Sequence, residues 1–426
     1  MSAFAFFGLW TLNMLLMAGL LVHSVSQRSP FTALWFSLLA VFHLPSLFDW
    51  GKGYTWVNEI TADFQLNEAV LIRAQFFATC VLTGYIACLY LFGVVVRRTD
   101  PIDRMNWPPG NGDKTFFAVL AGILILTQAA SYQSGLAELN FTEARDFRGI
   151  IGLIFGVYPQ YFLAGLAPYL IIRGQRMLYL LLLLLIGGGF LLFGGSRQPI
   201  LLVLVSSITS IFMRSLAPER WLIVVAPLVP VVLWVLQLLL YVRNLPVWSD
   251  RIAFLRSPDL QAAAQASYEP NLRFAYYYFM VNVDSLKEKF FALQYFKRAL
   301  LWWFPTALSG GWKPDDFEYV MFQAYVPGRE GSLHATFFGT LFADCGLSIA
   351  ILPWCALLAL IHSLVQYVPR FLTSCQSSVI WSLGVFAGLM FARGSFYGPI
   401  VFICTALVVF LIVNGAMRFF VGRRVV

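Results

Sequence analysis

Residues 4–22 read FAFFGLWTLNMLLMAGLLV, a run of apolar and small residues without a single charge. A helix rises 1.5 Å per residue, so about 20 such residues cover the roughly 30 Å hydrocarbon core of a bilayer. No basic segment precedes the run and no small-residue cleavage site follows it, so it is expected to stay in the protein as a transmembrane helix rather than to leave as a signal peptide.

The rest of the chain repeats this pattern. It is 12% charged and 59% hydrophobic, with a mean hydropathy of +0.75, whereas a soluble domain is about a quarter charged. Apolar runs at roughly 4–23, 31–49, 70–96, 115–134, 150–172, 177–195, 199–213, 221–241, 335–362, 377–393 and 397–417 give eleven candidate spans. The run at 199–213 is the shortest, and the count becomes ten without it. The expected fold is all-α: a polytopic integral membrane bundle of about eleven helices, 1–426 forming a single membrane domain. The net charge of +8 fits loops that face anionic lipid, and nucleic acid is dropped as a partner.

Basic residues in short loops mark the cytoplasmic side. Arg28, Arg97, Arg98, Arg104, Lys114, Arg173, Arg176, Arg214, Arg220, Arg370, Arg418, Arg423 and Arg424 all fall on one face. The opposite face carries Lys52, Arg145 and Arg148 against Asp49, Glu59, Asp63, Glu138 and Asp146. The N-terminus is therefore expected outside and the C-terminus inside. The one long polar insertion, a loop over 242–334, is then external. The stretch from Arg243 to Thr336 holds ten of the 29 Lys and Arg residues and nine of the 21 Asp and Glu residues, punctuated by FAYYYF at 274–279 and LLWWFP at 300–305. Within it, Leu286 to Trp303 reads as an amphipathic helix lying on the outer leaflet.

Arg73, Arg197 and Arg393 lie at external helix ends or just inside the bilayer, where an arginine must snorkel or find a partner. Arg73 opens its helix, which favours snorkelling. Arg243, Arg273 and Arg329 stand at or beyond the same mouth. Guanidiniums converging there suit phosphate or pyrophosphate, because the planar fork binds such oxygens two at a time. The competing reading of each is a solvated charge or a structural ion pair. His334, the one histidine outside an apolar run, has the pKa range of a general base, or is a polar residue at a helix start. Tyr277 and Trp303, with their aromatic neighbours, have the amphipathic rings that anchor at the interface. No metal site is expected, since KPDDFE at 313–318 is joined by no DxD or HExxH pattern, and no Walker or GxGxxG motif points to a nucleotide. The six cysteines lie in or beside apolar runs with no CxxC pair, as packing residues do.

GGSRQPILLVLV at 194–205, LLLYVRN at 238–244, FPTALSGGWKP at 304–314, EGSLHATFFGTLFADCGLSIAILP at 330–353 and FARGSF at 391–396 resemble, in order and topology, the Wzy-type polymerases of bacterial surface polysaccharide. The resemblance covers about 190–400. It implies a GT-C-like, cofactor-free and metal-independent membrane glycosyltransferase at the periplasmic face of the bacterial inner membrane. Such an enzyme transfers a growing chain from its undecaprenyl pyrophosphate to the next lipid-linked oligosaccharide unit, making O-antigen-type polysaccharide. A chain-length regulator is a further candidate partner. The implied catalytic residues are Arg197 and Arg243, with His334 or Glu330 as base; Arg393, Arg273, Arg329, Tyr277 and Trp303 would contact substrate. O-antigen ligases resemble the same stretch at 331–346, but Ala335 follows His334 where a ligase carries Asn or another polar residue. A transporter or flippase of lipid-linked sugar is the alternative from another class; it would show paired broken helices and midplane charges, whereas charge here collects at the outer mouth.

Overall fold

In the computed structural model, the described residues are 2–26, 30–51, 66–92, 113–133, 157–193, 197–215, isolated positions between 231 and 245, 247–257, 272–286, 290–304, 309, 311–328 and 331–421. All regular structure among them is helical. In chain order the helices are α1 (Ser2–Ser26), α2 (Pro30–His43), α3 (Glu68–Leu91), α4 (Asp113–Gln133), α5 (Tyr158–Gly165), α6 (Ala167–Ile172), α7 (Arg176–Phe193), α8 (Gln198–Ser215) and α9 (Trp248–Arg256). There follow α10 (Leu272–Val281), α11 (Val283–Leu286), α12 (Gln294–Leu300), α13 (Phe317–Tyr325), α14 (Thr336–Cys345), α15 (Ile351–Tyr367), α16 (Ser374–Arg393) and α17 (Tyr397–Val421).

Five of these, in α1, α3, α4, α16 and α17, are long and apolar enough to cross a membrane. Their surfaces are those of a membrane protein. In α1 only 22% of the most apolar window is buried, and Phe4, Leu15 and Val22 stand exposed, as do Leu126 on α4 and Leu184 on α7. Water would penalise such continuous apolar faces, whereas hydrocarbon does not. Helix α16 differs, with 94% of its window buried.

The chain forms two compact units. One comprises 1–99, 270–366 and 387–401; the other comprises 100–269, 367–386 and 402–426. In the first unit α1 packs on α2 and α3, and α10 on α14 and α3. A buried polar network runs through it: Asn13 Nδ2 donates to Gln75 Oε1 (3.1 Å), Gln75 Nε2 to Ser46 (3.1 Å), and His43 Nε2 lies 2.9 Å from Gln75 Oε1. These buried groups satisfy one another, which is what apolar surroundings demand of polar side chains. In the second unit α8 packs on α5 and α6, and α4 on α5 and α7. Ser378 and Ser382 of α16 donate to the Gly165 carbonyl at the end of α5 (2.9 and 3.0 Å). There the chain turns at Leu166 ahead of Pro168, because proline cannot supply the next N–H.

Several expected spans are broken. The run at 335–362 is two helices, α14 and α15, because Gly346 takes φ +63° and stops the first. The run at 31–49 ends as a helix at His43 and continues as a 3₁₀ turn over Leu44–Asp49, with a proline in its first turn. The run at 150–172 is α5 and α6 where it is described. Most of 221–241 lies outside the described residues.

The amphipathic helix expected over 286–303 does not form as one element. Phe291 and Leu293 adopt φ of +63° and +55°. Their N–H groups donate to the Ala343 and Asp344 carbonyls at the end of α14 (both 3.0 Å). Those carbonyls have no intrahelical partner, and satisfying them outweighs the local helical pattern. Among the described residues of this stretch, Leu286 closes α11 and Gln294–Leu300 forms α12, which begins where the Asp344 carboxylate accepts the N–H groups of Tyr295 (2.8 Å) and Phe296 (3.0 Å). Phe290 and Tyr295 are buried rather than turned to lipid.

Candidate functional site

The site forms in the first unit around Glu318. Asp316 caps α13, its Oδ1 accepting the Glu318 N–H at 3.1 Å, so Glu318 lies in the first helical turn. The Glu318 carbonyl accepts the Leu333 N–H (3.0 Å), which ties the segment carrying His334 against α13.

The carboxylate is 16% exposed. Its Oε1 accepts from the Tyr295 hydroxyl (2.5 Å) and from Ser395 Oγ (3.0 Å), and its Oε2 lies 3.5 Å from His334 Nδ1. Tyr295 is fixed in its role as donor. Its oxygen already accepts the N–H groups of Phe396 (3.0 Å) and Tyr397 (2.9 Å), so its one proton points to Glu318. Burial pushes the Tyr295 phenol well above its ordinary range, and the neighbouring Glu318 charge adds to this, so that proton stays in place.

Burial also raises Glu318, to about 7, and the Asp316 charge adds to the rise. The hydrogen bonds from Tyr295 and Ser395, and the charge of Arg393, work the other way. The result is a carboxyl that changes protonation near neutrality while partly open to solvent. That combination suits proton transfer.

Arg393 ends α16, and the turn that follows sets the positions of both Arg393 and Ser395. Gly394 (φ +104°) and Ser395 both donate to the Met390 carbonyl, at 3.1 and 2.8 Å, closing the helix end. A Cβ at Gly394 would stand 2.5 Å from the Thr336 carbonyl oxygen and 2.6 Å from Thr340 Oγ1, so glycine is required there. Thr336 itself, the first residue of α14, holds φ +64°, a costly conformation for a β-branched residue. Two distant segments thus meet where Gly394 leaves room for the Thr336 carbonyl and the Thr340 hydroxyl.

The other expected site residues are placed as follows. His334 and Arg393 join the Glu318 cluster. Arg273 lies elsewhere in the same unit, where its Nε pairs with the fully buried Asp49 (2.8 Å) and its guanidinium lies 4.6 Å from the Phe274 ring centre. The Tyr277 hydroxyl donates to the same Asp49 oxygen (3.0 Å), and the Tyr277 ring is buried, out of reach of a sugar at the surface. The cavity beside this pair has a volume of about 20 Å³, room for about one water. Trp303 is 63% exposed. Arg197 is buried in the second unit just before α8. Arg243, Arg329 and Glu330 lie outside the described residues. No group of three His, Cys, Asp or Glu side chains that could hold a metal ion occurs among the described residues.

Sequence reading singled out neither Glu318, noted only as part of KPDDFE, nor Tyr295 or Ser395. It also missed Arg251, fully buried on α9, which donates to the Leu191 carbonyl (3.0 Å) and through Nε and Nη2 to that of Leu245 (3.2 and 3.1 Å). The capping pattern Asp316 to Glu318 was the one local signal that the acid opens a helix. Comparison with profiles of known families, with curated protein sequences and with solved structures gives no match for this chain.

Proposed function

We propose that the protein is an integral membrane glycosyltransferase that polymerises oligosaccharide repeat units carried on undecaprenyl pyrophosphate, at the periplasmic face of a bacterial inner membrane, with about eleven spans in a GT-C-like bundle. The observation that carries this reading is the Glu318 cluster: a carboxyl titrating near 7, under the charge of Arg393 and beside His334. It supports the reading drawn from the polymerase-like motifs, because FARGSF and GSLHATFFG are the segments that meet there.

In this reading Glu318 takes the proton of the acceptor hydroxyl as its oxygen attacks the anomeric carbon of the donor chain. The bond from that carbon to the pyrophosphate oxygen breaks, and the lipid pyrophosphate leaves with the electron pair. Arg393 stabilises the charge that develops on it, a guanidinium in a partly dry site being worth more than one in water. His334, against Glu318 Oε2, orients the carboxylate.

The test is purified protein in nanodiscs given only a lipid-pyrophosphate repeat unit. A ladder of products is expected. A single transfer that requires added lipid A core would replace this reading with a ligase. Movement of the lipid-linked sugar across the bilayer without any product would replace it with a transporter.

A further inference from the structure

Arg298 and Lys313 both lie against one aromatic ring, that of Tyr397. The Arg298 Cζ lies 4.8 Å from the ring centre of Tyr397, and Lys313 Nζ lies 5.7 Å from it and 3.3 Å from its hydroxyl. Lys313 is only 4% exposed, and its ammonium donates to the Phe304 carbonyl (2.5 Å). Arg298 donates through Nη1 to the Pro314 carbonyl (2.6 Å), while its Nε is buried and has no acceptor among the described residues. Neither cation meets a carboxylate among the described residues: their partners are two carbonyls, a hydroxyl and a π face.

Two like charges, Lys313 buried and Arg298 half-buried, held only by neutral groups are costly, because carbonyls, a hydroxyl and a π face replace hydration in part and leave their mutual repulsion unscreened by any opposite charge. Burial and the Arg298 charge lower the Lys313 pKa, in keeping with that strain. A bound dianion would relieve both terms at once. The surroundings indicate what carries it. Trp303 and Trp312, both more than half exposed, pack on Phe304, whose carbonyl accepts from Lys313, an exposure that indoles show at a membrane interface. The site also adjoins the acid cluster, since the Tyr397 N–H donates to the Tyr295 oxygen whose proton goes to Glu318.

We infer that Arg298 and Lys313 form an anion site for the pyrophosphate of a membrane amphiphile, with Tyr397 as its platform and Trp303 and Trp312 against the apolar part of the ligand. The anion site stands on these contacts alone; the choice of a prenyl pyrophosphate rests on the glycosyltransferase reading.

The experiment measures binding of farnesyl pyrophosphate, inorganic pyrophosphate and farnesol to the full chain in nanodiscs by native mass spectrometry. Farnesyl pyrophosphate is expected to bind, inorganic pyrophosphate to compete weakly, and farnesol to bind least. Arg298→Gln and Lys313→Met should each weaken farnesyl pyrophosphate by about tenfold or more, the usual loss of a charge-assisted contact. Arg298→Lys, which keeps charge and volume but loses the fork, should fall between and guards against misfolding of the glutamine variant. Parent-like affinity in Lys313→Met and Arg298→Lys overturns the site. Equal affinity for inorganic and farnesyl pyrophosphate overturns the lipid assignment. Binding that depends on both residues, in a protein that makes no polymer, would break the transferase reading and leave the anion site standing.

Discussion

Asp49 and Glu318 are two carboxylates in the same unit held in opposite ways. Asp49 is fully buried and meets a guanidinium at hydrogen-bonding distance, with a phenol on the same oxygen. Glu318 keeps a little solvent, meets only hydroxyls at that distance, and feels Arg393 through space. A charged donor in direct contact makes a buried carboxylate part of the framework. Hydroxyl donors alone leave the charged form short of what water gave it, and the proton affinity rises toward neutrality. Burial without a charged donor in contact is what marks Glu318 as the candidate reactive acid, whereas Asp49 has Arg273 at hydrogen-bonding distance.

Four experiments break or sharpen that contrast. Glu318→Gln keeps shape and hydrogen bonding but cannot take a proton, so elongation should fall by about 10²–10⁴-fold, as for loss of a general base. Thermal unfolding in detergent should remain cooperative; elongation at the parent rate removes Glu318 from the mechanism. Asp49→Asn should do the reverse. It leaves Arg273 without its acid and should cost about 3–5 kcal/mol of stability, read as a lower unfolding midpoint, with elongation per folded molecule kept. If that variant is stable and inactive, the two acids have been assigned the wrong way round.

The third experiment is a pH series. Glu318 has a folded pKa of about 7, above its ordinary 4.5. Its protonated form therefore favours the folded state: the contribution is complete below about 4.5 and is lost as pH rises through 7. The loss is on the order of 3 kcal/mol, and this slope should vanish from unfolding curves of Glu318→Gln. Elongation should run the opposite way, rising through pH 7 as the base ionises. The smallest effect is expected from Ser395→Ala. Losing a donor to the carboxylate should move the rate midpoint upward by less than about one pH unit, with the plateau little changed. A downward shift would mean that Ser395 does not act on Glu318.

The helical elements were legible because apolar length is a local property: α1, α3, α4, α16 and α17 follow the hydrophobic runs at 4–23, 70–96, 115–134, 377–393 and 397–417 within a few residues. Breaks were less so. Gly346 offered a signal, yet the apolar run continues through it, and hydropathy does not report φ. The 286–303 segment misled for the opposite reason, since its helical pattern is real but its N–H groups go to carbonyls of α14, some 50 residues away. Arg393 was found from its odd position in FARGSFYGP. Glu318 was hidden because an acid beside Asp315 and Asp316 looks solvated until Tyr295, His334 and Ser395 close around it.

By itself, then, the sequence determined that this chain lives in a membrane as helices, since some 20 consecutive apolar residues have few other places to go. It also singled out 331–346 and 391–396, segments that the fold brings together at Gly394 and Thr336. Only the tertiary structure decided which acid keeps a proton near neutral pH and which cations share a ring. Those properties depend on desolvation and on partners distant in sequence, here joined through the strained backbone at Thr336 and the close approach at Gly394.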